Sequence, residues 1–209
     1  MFRPAGVRIW EKLRPNSGRL TDIGTTGYST LWAPAREDQK MLVLDPPPFR
    51  IFLLRHASAA WPQPGGRDFD RPLDDHGFAE AELVATRAAD RHPAPDLILS
   101  STALRCRQTA DAVHRAFGED LEISAIDSLY NAPLDIYLEV LVGQKQVQSV
   151  MIIGHNPTLE ELLEALLGPD RMAALIPGGY PTAGLAVLEH GGPHQAMAGS
   201  WTVKDFITA

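Results

Sequence analysis

From Phe49 onward, short apolar runs alternate with longer segments whose apolar residues recur at helical spacing. Residues 49–55 carry the continuous run Ile51-Phe52-Leu53-Leu54 and predict a first strand. Residues 77–92 place Phe78, Ala81, Val84 and Ala88 on one helical face. A short buried strand is expected over 96–100, then a helix over 102–117 that Gly118 stops. Residues 121–125 read as a strand and 134–142 as a helix. The run at 149–154 is apolar throughout, as in a strand covered on both faces. Asn156-Pro157-Thr158 opens a helix through Leu167, ended by Gly168-Pro169. Residues 183–189 and 195–204 predict two closing strands. Such alternation implies a three-layer α/β/α sandwich with a mostly parallel central sheet, whose ligands sit at the strands' C-terminal edge.

The first 48 residues break this pattern. Pro4, Gly6, Pro15, Gly18, Gly24, Gly27 and Pro34 interrupt them, and no period persists. Met41 precedes Leu42-Val43-Leu44 and the stiff Pro46-Pro47-Pro48 spacer. Residues 1–48 are therefore expected to be a poorly ordered extension, or sequence upstream of a start at Met41, with residues 49–209 forming the folded domain. Trp10 and Trp32 are the side chains able to dock such an extension.

Composition narrows the function. The chain has 209 residues, 44% apolar and 22% charged, as expected for a soluble globular protein. No apolar stretch reaches the ~20 residues of a membrane span. The N-terminus lacks the apolar centre of a secretory leader, which points to the cytoplasm. Cys106 is the single cysteine, so no internal disulfide forms. A net charge of -7 argues against a broad nucleic-acid surface. It leaves room for an anionic substrate held by a few focused arginines.

Three basic motifs fall at predicted strand ends: Arg55-His56, Arg105 in Ser101-Thr102-Ala103-Leu104-Arg105, and His155 in Gly154-His155-Asn156-Pro157. In a parallel sheet these ends lie side by side, so His56, Arg105 and His155 are expected in one crevice. Paired arginines clamp a phosphoryl group through forked hydrogen bonds. A neutral imidazole attacks phosphorus from one nitrogen if the other donates to a backbone carbonyl. The second histidine, protonated beside the dianion, stabilises charge on the equatorial oxygens. This chemistry calls for no metal and no cofactor.

Together the three motifs resemble the histidine phosphatase (phosphoglycerate mutase-like) superfamily. The Arg-His-Ala variant at Arg55-His56-Ala57, the segment Arg71-Pro72-Leu73-Asp74-Asp75-His76-Gly77, and the runs 104–109 and 181–188 are similar to SixA-type phosphohistidine phosphatases. The resemblance covers Phe49 to the C-terminus. It implies that His56 is the phosphorylated nucleophile and that Arg55, Arg105 and His155 complete the phosphate pocket. Asn156 stands where the acid-phosphatase branch has a proton-donating aspartate, and residues 127–133 offer no glutamate where the mutase branch keeps its acid. The general acid is thus unassigned, with Asp68, Asp70 and Asp135 as candidates.

A missing acid favours a leaving group that departs easily. Imidazole, with a free pKa of ~6.5, leaves far more readily than an alkoxide. The expected substrate is therefore a phosphohistidine-bearing protein. The alternatives are a phosphatase of a small phosphomonoester and a non-catalytic phosphate-binding regulatory module. No insertion is long enough for a cap domain, which leaves the crevice open to a protein-borne imidazole. A monomer or small oligomer is expected, with neither nucleic acid nor membrane as partner.

Ordinary roles account for other conspicuous residues. Cys106, among apolar helix positions, reads as a buried inert thiol. Arg107 faces another side of its helix from Arg105 and reads as structural. Asp74-Asp75, ahead of Gly77, reads as the start of a helix, capping its free amides. Glu160, Glu161 and Glu164 read as a solvated face, with Glu160 able to reach the pocket rim. Gly178-Gly179 reads as a loop.

Overall fold

The computed structural model describes residues 49–118, 120–144, 146–191 and 199–209. The expected extension at 1–48 lies outside them. Six strands form the central sheet: β1 (Arg50–Arg55), β2 (Leu97–Ser101), β3 (Ile123–Ile126), β4 (Ser149–Gly154), β5 (Leu185–Glu189) and β6 (Thr202–Ile207). Their spatial order is β3-β2-β4-β1-β5-β6. The four strands from β3 to β1 pair in parallel, while β5 runs antiparallel to both β1 and β6. The mostly parallel sheet expected from the alternation is the one observed.

Strand side chains alternate between two cores, as the two-residue pleat requires. Ile51, Leu53, Leu99, Val150 and Ile152 face one side, where α3 (Leu134–Val142) and α4 (Thr158–Leu167) cover them with Tyr137, Leu141, Leu159, Leu162 and Leu166. Phe52, Leu54, Ile98, Met151 and Ile153 face the other. There α1 (Asp75–Arg91) and α2 (Leu104–Phe117) supply Ala81, Val84, Ala88, Cys106 and Val113. The result is three layers.

Local sequence explains the helix boundaries. Asp74 caps α1, its Oδ1 accepting from the Gly77 amide at 2.7 Å. Gly77 itself is required by close packing: a Cβ there would lie 1.9 Å from the Ser58 carbonyl oxygen. Gly118 ends α2 at φ +115°.

Several boundaries differ from expectation, β3 and β5 each beginning two residues later. Helix α2 begins at Leu104 rather than 102, because Thr102 and Ala103 form the turn out of β2. Gly168-Pro169 ends α4 but also starts α5 (Pro169–Leu175), proline being favourable at a first helical turn. The last strand is Thr202–Ile207, displaced from the expected 195–204, part of which lies outside the described residues. Among the described residues no helix is long and apolar enough to cross a membrane.

Candidate active site

The parallel register sets the site. Arg55 pairs with Gly154 across β1 and β4, and the His56 amide donates to the Gly154 carbonyl at 3.1 Å. Ser100 pairs with Ile153, which brings the end of β2 beside Gly154. The two imidazoles therefore meet, with ring centroids 5.2 Å apart. Arg105, on the first turn of α2, is only 6% exposed and reaches between them. Its Nε donates to His56 Nε2 at 3.2 Å, and its Nη2 lies 3.3 Å from His155 Nδ1. Arg55, His56, Arg105 and His155 line one cavity of about 380 Å³. The sequence-predicted quartet is assembled.

Each ring has a defined partner on its far side. His56 Nδ1 lies 2.8 Å from the Ala57 carbonyl, an acceptor, so Nδ1 carries the proton and Nε2 the lone pair. His155 Nε2 lies 2.9 Å from Ser101 Oγ, leaving Nδ1 toward Arg105. Burial, with Arg105 and Arg55 adding to it, pushes the His56 pKa down to about 4. Burial, His56 and Arg105 push that of His155 down to about 3. Both rings are neutral in the free site at pH 7. The sequence predicts a protonated His155 beside a dianion; in the free site burial, His56 and Arg105 favour the neutral ring instead.

Arg55 donates through Nη1 to the Tyr180 carbonyl, and its buried Nε has no protein partner. Glu160 stands behind it. Far from forming a solvated face, Glu160 Oε2 accepts from Asn156 Nδ2 at 2.9 Å and from the Tyr180 amide at 3.1 Å. Glu161 and Glu164 are exposed, as expected.

Asp68 is the one candidate acid that contacts a residue of the quartet. Its Oδ2 accepts from Arg105 Nη2 at 3.1 Å and from Tyr130 Oη at 3.0 Å, while its Oδ1 pairs with Arg71 Nη1 at 2.8 Å. Hydrogen bonds from Arg71, then Tyr130 and Arg105, outweigh desolvation and bring its pKa down to about 2. It is a carboxylate at neutral pH and holds no proton to donate. Asp70 pairs with exposed Arg67, and Asp135 Oδ1 accepts from the Ile136 amide in the first turn of α3. Neither lines the cavity.

Sequence reasoning missed six lining residues: Ser58, Ala59, Arg71, Asn131, Asn156 and Thr182. Arg71, Asn131, Asn156 and Thr182 lay within quoted segments but carried no assigned part in the pocket. Cys106 is buried, with its pKa pushed up to about 12 by desolvation, and its Sγ packs against the His155 ring, 3.5 Å from Nε2. Arg107 is exposed and away from the cavity.

The comparisons with known proteins identify the family and the fold. Residues 51–131 match the model of the histidine phosphatase superfamily (branch 1). The structure of the candidate phosphohistidine phosphatase SixA from Agrobacterium tumefaciens is 52% identical, covering 78% of this chain and 99% of that one, with a TM-score of 0.72. The chain belongs to the histidine phosphatase superfamily. A SixA counterpart from Nakamurella multipartitia is 26% identical over 77% of this chain and 97% of that one, with a TM-score of 0.61. An uncharacterized protein of Mycobacterium tuberculosis is 37% identical over 154 residues, 71% of this chain and 89% of the relative. Superfamily membership places the central sheet and both core layers within the phosphoglycerate mutase-like fold.

Proposed function

We propose that this phosphatase works through a phosphohistidine on His56 and removes phosphate from phosphohistidine in proteins. The observation that carries the reading is the polarity of His56: Nδ1 donates to the Ala57 carbonyl, and the lone pair on Nε2 points at Arg105. Nε2 attacks phosphorus, the phosphorus–leaving-group bond breaks, and its electron pair departs on the leaving atom. Arg55, Arg105 and protonated His155 hold the equatorial oxygens as charge shifts. Water then cleaves the phosphoenzyme and regenerates neutral His56.

The reading of substrate rests on proton supply. Asp68 is held as a carboxylate, and Asp70 and Asp135 do not line the cavity. An alkoxide leaving group would lose the ~10²–10⁴-fold that a positioned acid provides. An imidazole protonated on its remote nitrogen departs neutral and needs no such acid. The SixA names of similar structures support the same choice.

The test combines label trapping with a substrate panel. Radiolabel from a phosphohistidine peptide should be trapped on His56 and lost in His56→Ala. Turnover of that peptide should exceed turnover of phosphoserine peptide and sugar phosphate at equal concentration. A strong preference for the sugar phosphate would favour a small-molecule phosphomonoesterase, and binding without any label would favour a phosphate-binding module.

A further inference from the structure

A second cavity, of about 410 Å³, adjoins the phosphoryl pocket and shares Asn131, His155 and Asn156 with it. Its walls come from the loop before α3 and from the start of α4. Leu129, Ala132, Pro133 and Pro157 supply apolar surface, and exposed Glu161 stands at its rim. Among the described residues, no arginine or lysine lines it. The phosphoryl pocket, by contrast, is lined by Arg55, Arg71 and Arg105.

The cavity is built rather than incidental. Tyr137 Oη donates to the Leu129 carbonyl at 3.2 Å and accepts from the His155 amide at 3.2 Å, fixing the floor to the site. Thr158 Oγ1 donates to the Ala132 carbonyl at 2.7 Å, tying the two walls together. Both Tyr137 and Thr158 are buried. A group seated here is held at a fixed position relative to His155.

We infer that this cavity is the leaving-group subsite, and that it selects a leaving group that is cationic and partly apolar, such as an imidazolium. The inference rests on the phosphatase reading above and deepens it. Charge is divided across the site: guanidinium groups meet the phosphoryl oxygens, and a carboxylate with apolar walls meets what the phosphoryl group is attached to. A leaving group bearing a carboxylate or a second phosphate finds no arginine or lysine here and faces Glu161. A phosphohistidine ring protonated on its remote nitrogen carries positive charge on a flat, largely apolar body, which both features accommodate. The step balances. His56 Nε2 forms the new bond to phosphorus, the old P–N bond breaks, and its electron pair neutralises the departing ring, which retains its remote proton.

The charge of the subsite is read with Glu161→Gln and Glu161→Lys, both at an exposed position where folding is retained. Three donors are compared by kcat/KM: a phosphohistidine peptide, phosphoethanolamine with its cationic amine, and 3-phosphoglycerate with its carboxylate. Glu161→Lys should lower the ratio of phosphoethanolamine to phosphoglycerate turnover at least about tenfold, which is ~1.4 kcal/mol, with Glu161→Gln intermediate. The ratio of phosphohistidine peptide to phosphoglycerate should fall in the same order. Ratios unmoved by either substitution overturn the inference, even if the wild type hydrolyses phosphohistidine well. A wild type that ignores the phosphohistidine peptide overturns the proposed substrate; the phosphoethanolamine ratio still decides the charge preference of the cavity.

Discussion

Asp68 holds the guanidinium of Arg105 at two points, its backbone oxygen accepting from Nη1 at 2.8 Å and its carboxylate from Nη2 at 3.1 Å. The donors that suit a phosphoryl dianion are thus engaged by an anion of the protein. Tyr130 and Arg71 steady that carboxylate, and the Phe69 ring packs edge-on against Tyr130 at 5.0 Å. Under the proposed function, a phosphoryl group bound by Arg105 displaces Asp68 or shares the guanidinium with it.

Asp68→Asn should therefore tighten binding of inorganic phosphate. The Asp68 side chain is 48% exposed, so solvent screens the pair and its strength is ~1 kcal/mol or less. The competitive inhibition constant should fall by up to about fivefold. A rise in that constant would mean that Asp68 positions Arg105 instead of competing for it.

Arg105→Lys keeps the charge but loses the fork that spans His56, His155 and Asp68. Loss of a preformed donor to a developing anion costs about 10²–10³-fold in rate. That loss is expected in kcat for phosphoenzyme formation, followed by single-turnover labelling. Retention of wild-type kcat would remove Arg105 from the transition state.

The two imidazoles should titrate well below the ordinary histidine value of 6.5, His56 near 4 and His155 near 3. Ring resonances in nuclear magnetic resonance will report this directly, and vanadate should move the His155 midpoint upward. A stability consequence follows with definite sign. Between pH 6.5 and about 4, the unfolded chain binds a proton at position 56 that the folded chain refuses; at 155 the window extends to about 3. These groups leave stability unchanged above pH 6.5 and lower it as pH falls through those windows. The urea midpoint should thus decline less steeply on acidification in His56→Asn than in wild type.

Gly154→Ala should destabilise the protein and disturb His155 together. The added Cβ would lie 2.3 Å from Tyr137 Oη, inside a packed floor. Overpacking of this kind costs about 1–3 kcal/mol. Tyr137→Phe makes a milder comparison: it removes the hydroxyl that serves both the Leu129 carbonyl and the His155 amide. Thermal unfolding checks the first effect, and the rate of His56 labelling checks the second.

Much of this site was legible in the sequence because its central groups sit where strands end. The runs before Arg55, Ser101 and His155 are continuous and apolar, so their termini could be located, and a parallel sheet brings such termini together. Residues placed by tertiary packing were less legible. Arg71 and Tyr130 each follow a single 3-10 turn with no period to read, and each bonds the Asp68 carboxylate directly. Glu160 misled for a related reason. A run of three glutamates on one helix reads as solvated, but the first turn of α4 tilts Glu160 toward the Tyr180 amide and Asn156.

The reversed direction of β5 has its own consequence. Four neighbouring strands bring their outgoing loops to the crevice, whereas β5 brings its incoming one. The Gly184 carbonyl receives the Arg55 amide, the Tyr180 carbonyl receives the Arg55 guanidinium, and Thr182 joins the cavity wall. This flank of the crevice is therefore shaped before the chain enters the sheet, on a connection that carries neither imidazole. Substitution of Thr182 offers a route to altered substrate scope that keeps the Tyr180 carbonyl against Arg55.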